Sequence, residues 1–271
     1  MLEDNQDRER PVEFVEALAK GLLILESFDA QHAEMTLSDV ARRVGLSPAA
    51  ARRSLLTLQA MGYVGQTGKR FHLRPKVMSL GSAFYFSARV DEVLQPELRN
   101  LVGIFGDASS VATLEGNDVL YIAHYSEQRA RRATAVVGAR YPAHATSLGR
   151  VLLAAMPDDD FERYLREVEP VPLTRKTVVD KDELRRLVHE VRDQNYSTTV
   201  DQLDYGITAI AVPIRGQSGR TIAALNSSGY SGLLTADELV DKRLQELRLS
   251  AARLATTIAR YPVLESIIGT R

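Results

Sequence analysis

At 271 residues, with 45% apolar and 25% charged side chains, the chain has the balance of a globular protein with one large or two ordinary domains. It has no cysteine, which excludes disulfides and thiolate metal sites, and no apolar run near the roughly 18–20 residues that cross a bilayer. Residues 1–10 are charged and lack an apolar stretch, so no secretory signal is expected and the chain is placed in the cytoplasm, with no membrane partner.

In chain order, "FVEALAKGLLILESF" (14–28) repeats apolar residues at Val15, Leu18, Leu22 and Leu25, the spacing of one helix face. "TLSDVARRVG" predicts a second helix, capped by Thr36 and stopped at Gly45. Ser47 caps a third, with Pro48 in the first turn, where a missing N–H costs nothing. The short link and the small Ala41 suit a helix-turn-helix, and "YVGQTGKRFHLRP" alternates around Gly65 and Gly68 as a hairpin wing would.

The net charge of −1 hides an asymmetry. Residues 36–76 carry eight Lys and Arg against the single acid Asp39, so the rest of the chain is acidic. A basic module on an acidic body points to a polyanion for the first part; a solvated surface would mix the signs. On the third helix Ala51, Leu55 and Leu58 share the core sector, while Arg53 lies opposite. Around it stand Ala49, Ala50, Thr57 and, at the edge, Arg52. Small residues let a backbone approach a major groove, where arginine reaches guanine edges or phosphates. Ser47, Lys69 and Arg70 complete the expected DNA-binding set.

Residues 76–106 read as two helices, the first apolar nearly all round through Phe84, Tyr85 and Phe86. Such a connector is expected to bury itself against a second chain or along its own second domain. From residue 109 strands follow: two runs around Glu115–Asp118, a third in 132–143, and a hairpin turning at 216–219. Helices are expected at 147–155, 158–167, 182–194 and 235–260, with capping boxes at Asp180/Glu183 and Thr235/Glu238. The fold class is α+β: a winged helix-turn-helix (14–75), a linker helix (76–89) and an antiparallel-sheet domain (90–262).

No nucleophile elbow, phosphate loop, dinucleotide fingerprint or zinc-protease signature is present. His32, His72, His124, His144 and His189 are scattered, and the acids of "PDDDF" (157–161) suit a helix start. No catalytic residue, metal or cofactor is expected. One arrangement reads as a site. "GARYPAHATSLGR" runs from a strand end into a helix near Ser147, where free N–H groups with Thr146 and Ser147 suit a carboxylate and Arg140 adds charge. Ordinary capping by Ser147 is the alternative. Asn226 and Ser228 in "AALNSSG" share one strand face, as a pocket wall or as a solvent edge.

The stretches "ARRSLLTLQAMGYV", "FHLRPKVMSLGSAFYFSA", "PAHATSLGRVLLA", "ITAIAVPI" and "IAALNSS" resemble IclR-family transcriptional regulators, specifically the PcaR/PcaU/PobR branch controlling aromatic-acid catabolism. The resemblance spans about residues 14–228. It implies a winged helix-turn-helix, a linker helix and a GAF-like effector domain, assembled as dimers, often paired into tetramers on operator DNA. By position it implies effector contacts at Thr199, Ala209, Asn226 and Ser228, with His144, Ala145, Thr146 and Ser147. The family often has Gly before Tyr196, where this chain has Asn195, and an acidic Asp-Gln-Glu-Leu-Glu run where this chain has "VDQLD". The leading expectation is a DNA-binding regulator sensing a small carboxylate, an aromatic acid such as protocatechuate or 4-hydroxybenzoate, or an oxoadipate. The rivals are an enzyme acting on a small acid with an appended DNA-binding module, and a DNA-binding protein without a ligand.

Overall fold

The computed structural model describes residues 11–29, 31–87, 89–127 and 135–269. The charged residues 1–10 and the start of the expected 132–143 strand lie outside them. The chain divides into two units between Phe84 and Tyr85.

The first unit holds α1 (Glu16–Glu26), α2 (Leu37–Arg43) and α3 (Pro48–Ala60), with strands β1 (Glu34–Thr36), β2 (Val64–Thr67) and β3 (Arg70–Leu73) in sheet order β1-β3-β2. Short-range chemistry sets the helix ends. Thr36 and Asp39 close a reciprocal box on α2, and Gly45 leaves it at φ 66°. Ser47 accepts from the Ala50 N–H, with Pro48 in the first turn of α3. Ile24, Val40, Ala41, Ala51, Leu55 and Leu58 fill the core.

Three expectations change here. The face of α1 named from spacing is largely outside: Val15, Leu18 and Leu22 are exposed, and Ile24, flanked by Leu23 and Leu25, packs inward. The helix carries apolar residues on both sides, so periodicity alone could not choose between them. The strand β1, paired with β3, had no signal, being three residues long. Gly65 is not in the turn, which falls at Gly68 (φ 60°). A Cβ at Gly65 would stand 2.4 Å from His72 Nε2, so this glycine serves close packing.

After a 3-10 turn at Pro75–Val77 comes α4 (Met78–Ser87), in which no residue is buried. The next expected helix is broken into α5 (Val90–Val93) and α6 (Gln95–Phe105), with Pro96 opening α6. The second unit is built on β4 (Ala108–Glu115), β5 (Asp118–Ser126), β6 (Arg140–Pro142), β7 (Ser197–Val200), β8 (Ile207–Arg215) and β9 (Thr221–Tyr230). They form an antiparallel sheet in the order β6-β5-β4-β9-β8-β7. Helices α7 (Ser147–Ala154), α8 (Asp158–Glu167) and α9 (Lys181–Gln194) cover one face, packing Leu148, Phe161 and Leu184 on Ala112, Ala211 and Ala224. The alternating Ile210, Val212 and Leu225 are buried outside that cluster, on the side where α6 and α10 (Ala236–Ile258) meet the strands. A last helix, α11 (Pro262–Ile268), was not anticipated.

Local signals again explain the ends. Thr235 and Glu238 form the expected box, whereas Asp180 caps α9 without reciprocity because Glu183 turns to Arg186. Asn195 ends α9 at φ 58°. Asparagine tolerates that left-handed conformation. Among the described residues no helix is long and apolar enough to cross a membrane.

Candidate functional site

On α3, Ala51, Leu55 and Leu58 are buried, and the opposite side shows Ala49, Arg52, Arg53 and Thr57 exposed with Ala50 half-buried. Thr57 Oγ1 donates to the Arg53 carbonyl at 3.0 Å, and the Ser47 hydroxyl is spent on its cap. Lys69 and Arg70 are exposed where β2 turns into β3. Other basic residues of the module are engaged. Arg42 pairs with Asp39 at 2.7 Å, Arg43 donates to the Ser27 carbonyl at 2.8 Å, and Lys76 donates to the Met61 carbonyl at 2.8 Å. Among the described residues Arg52, Arg53, Lys69 and Arg70 form no ion pair. Their charge is therefore available to a polyanion. Leu56, 45% exposed on the same helix, was missed because it reads as core.

In the second unit the register assembles a polar wall. Thr199 faces Ala209, Ala209 faces Ser228, and Ser228 faces Ala108 in one row. Asn226 stands two residues along β9, opposite Ser110. With the first turn of α7 these line a cavity completed by Tyr121, Tyr141, Leu203 and Ile207. Six nominated residues line it: Thr146, Ser147, Thr199, Ala209, Asn226 and Ser228. Three do not. Arg140 is exposed, donates to the Glu115 carbonyl at 3.1 Å and pairs with Asp118 at 3.4 Å. His144 is buried with Nε2 at 3.2 Å from the Val171 carbonyl, and Ala145 is buried beside it. The cap of α7 is Thr146, which accepts from the Gly149 N–H at 2.9 Å, and not Ser147.

Several polar atoms on the cavity wall are already spoken for. Asn226 Oδ1 accepts from the Ser110 N–H at 2.8 Å, and Ser110 Oγ lies 2.9 Å from His124 Nδ1. Burial lowers the His124 pKa and raises that of Tyr121, so both are neutral near pH 7. The hydroxyls of Ser147 and Thr199 and the amide nitrogen of Asn226 make no hydrogen bond among the described residues. The cavity measures about 60 Å³, below the roughly 300–1,000 Å³ of open ligand sites. A larger groove of about 390 Å³ lies beside the β8–β9 turn and α11, but its Glu265 carboxylate already accepts from the Gln217 N–H at 2.8 Å. Convergent unsatisfied donors favour the smaller one.

The loop after β7 contributes Leu203 to this wall. Asp201 accepts from Lys176 Nζ at 2.8 Å, the Ser231 hydroxyl at 2.6 Å and the Gly206 N–H at 2.8 Å. Those donors, Lys176 first, hold its carboxyl at about 2. Thr174 and Thr177 donate to the carbonyls of Asp201 and Gln202 at 2.6 and 2.7 Å.

Outside the residues that line the cavity, Arg150 is an unexpected buried cation. It is 2% exposed on α7, its guanidinium donates to Gln202 Oε1, and its Nε is buried without a partner. Burial lowers its pKa to about 10. A cation buried without an acid is costly, commonly by several kcal/mol. The signal was there as an arginine inside the apolar run "SLGRVLLA", three residues after Ser147.

A helical module presenting unpaired arginines, followed by an α+β unit with an interior polar cavity, defines a DNA-binding transcription regulator. The chain belongs to the IclR family: residues 17–68 match the IclR helix-turn-helix domain and 85–256 the bacterial transcriptional regulator IclR C-terminal domain. It is therefore a sequence-specific regulator, not an enzyme, and is related to regulators of aromatic-acid catabolism. It is 36% identical over 242 residues to the Pca regulon regulatory protein of Pseudomonas putida, covering 89% of this chain and 83% of that protein. A solved protein from Rhodococcus sp. RHA1 is 38% identical, with TM-score 0.74, covering 91% of this chain and 99% of that one. An IclR homolog from Microbacterium hydrocarbonoxydans, solved with 4-hydroxybenzoate, is 27% identical with TM-score 0.71, covering 90% and 99%.

Proposed function

We propose that the chain binds a two-part operator as a dimer or tetramer and that a small aromatic carboxylate in the cavity controls it in the cytoplasm. Residues 14–75 act as the winged DNA-reading domain and 76–89 as the linker helix. Residues 90–262 act as a GAF-like effector domain. Arg53 and Arg52 enter the major groove on α3, with Ser47, Ala49, Ala50 and Thr57 at the surface, while Lys69 and Arg70 hold phosphate. One such module buries little DNA, so two are needed. The exposed Leu18 and Leu22 on α1 and Met78 and Phe86 on α4 supply apolar surface for that assembly.

The acid's carboxylate lies at the start of α7, where the Ser147 and Leu148 N–H groups and the positive helix end favour an anion. Its ring lies among Tyr121, Leu203 and Ile207, and its distal oxygens meet Thr199, Asn226 and Ser228 across Ala209. The observation that carries the reading is this meeting of unsatisfied donors from α7, β7 and β9 in one cavity. The bound 4-hydroxybenzoate of the Microbacterium homolog supports the chemical class. Calorimetry tests it: Ser228→Ala should lose five- to a hundred-fold in affinity for the acid, as for one buried hydrogen bond of about 1–3 kcal/mol. Operator affinity without ligand should hold. Normal acid binding by both Asn226→Ala and Ser228→Ala would place the pocket elsewhere.

A further inference from the structure

Leu56 stands on the side of α3 where charged residues are expected. It is 45% exposed, three residues after Arg53 and four after Arg52, so the three side chains are neighbours on one surface of the helix. Helical side chains lean towards the N-terminus, which sets Leu56 over the turn that carries the two arginines. The core of this unit takes Ala51, Leu55 and Leu58 from α3 and not Leu56. Its apolar surface is therefore left for something other than the packing of its own unit.

The residues around it add methyl groups. Thr57 turns its hydroxyl hydrogen to the Arg53 carbonyl at 3.0 Å, so it cannot donate to a partner, and its methyl branch remains. Ala49 and Ala60 are exposed with nothing beyond Cβ. Ser54 and Gln59, the other polar side chains within the helix, are half-buried at the borders of the core face. The exposed side of α3 thus offers two kinds of contact: the guanidinium groups of Arg52 and Arg53, and an apolar strip centred on Leu56. Assembly through this face with a second copy would set Arg52 and Arg53 against their own counterparts, a like-charge contact that costs affinity. A major groove matches both kinds. Guanine offers N7 and O6 to an arginine, and the C5-methyl of thymine is the apolar group among the base edges there.

We propose that Leu56 reads a thymine methyl, so that each half-site carries a thymine within one or two base pairs of the position that Arg53 meets. The inference rests on the reading of α3 as the DNA-reading helix and adds to it a second, apolar determinant of sequence. Leu56 lies three residues beyond Arg53, a rise of about 4.5 Å along the helix axis, against roughly 3.4 Å per base step. Cytosine in the same place presents an amino group and no methyl. Leu56 has no acceptor for that group, so the contact separates T·A from C·G at this position.

The test starts from a duplex that the full chain selects out of a random pool. Single thymines are then replaced by deoxyuracil, which lacks only the methyl, and affinity is read by fluorescence anisotropy. The wild type should lose about three- to tenfold at one thymine of each half-site, the size expected for one methyl group removed from water. Leu56→Ala should bind the thymine and uracil duplexes alike, whereas Arg53→Ala should weaken both and keep their ratio. Leu56→Gln, close in size and a good helix former, should also lose the ratio, and covers the case in which Leu56→Ala fails to fold. If a folded Leu56 variant retains the wild-type ratio, Leu56 does not read the methyl. Retention of the ratio with a shift to smaller oligomers in sedimentation would place Leu56 on the assembly surface instead. If no thymine responds in the wild type the proposal falls, while a loss of affinity in Arg53→Ala still keeps α3 in the groove. If the selection yields no preferred sequence, or Arg53→Ala leaves every titration unchanged, the reading of α3 fails and this proposal with it.

Discussion

The two surfaces proposed above for recognition pose opposite electrostatic problems. On α3 and the β2–β3 turn, the cations Arg52, Arg53, Lys69 and Arg70 are exposed and form no ion pair among the described residues, and each is cheap to keep and weak alone. In the cavity beside the start of α7, Ser147, Thr199 and Asn226 are buried and few, and each unsatisfied group there is costly. An exposed set suits a long polyanion whose counterions are released on binding. A buried set suits one small molecule whose every polar atom is checked.

Salt should separate the two most sharply. Raising salt from about 50 to 200 mM should cut operator binding roughly a thousandfold or more if two modules neutralise six or more phosphates. Acid binding should change by less than about threefold, because buried charges are little screened. Fluorescence anisotropy and calorimetry over the same salt series check this, and equal slopes would erase the distinction.

Gly149→Ala attacks the buried side alone. A Cβ there would lie 2.1 Å from the Ala143 backbone carbonyl, which cannot yield without moving the α7 entry. The expected cost is about 1–3 kcal/mol or more. It should be read as a lower melting temperature and weaker acid binding, with ligand-free operator binding kept. Arg53→Ala attacks the exposed side. It should cost roughly 1–3 kcal/mol of operator affinity and relax specificity at one base if Arg53 reads guanine. A drop of about one in the salt slope, uniform over sequences, would mean phosphate contact instead. Unchanged titrations with a folded variant would remove α3 from the interface.

The smallest effect concerns the loop over the cavity. The Asp201 carboxyl, held at about 2 by Lys176 and its other donors, stabilises the closed loop fully above its ordinary value of 3.8. That contribution is lost as pH falls through the range from 3.8 towards 2. Hydrogen exchange at the Gly206 N–H should stay protected in proportion at pH 7 and 5 and open below 4. Loss of protection already between pH 7 and 5 would assign the latch to another group.

Most elements were legible because their ends carry local chemistry: Thr36 with Asp39, Ser47 with Pro48, and Thr235 with Glu238 each close a cap within four residues. The pair Asn226 and Ser228 was legible from period-two spacing, and the row through Thr199 and Ala209 was carried by family resemblance. Elements without such signals were missed, among them three-residue β1 and the C-terminal α11.

What the sequence by itself determined is therefore the place of the capped helices, the buried face of α3 and the basic surplus of residues 36–76. Each depends on residues near one another in the chain. Tertiary structure decided which face of α1 is buried, that Arg140 is held by Asp118, and that Arg150 is enclosed against Gln202, fifty-two residues away. Those outcomes depend on distant partners competing for the same group, and no local spacing records which partner wins.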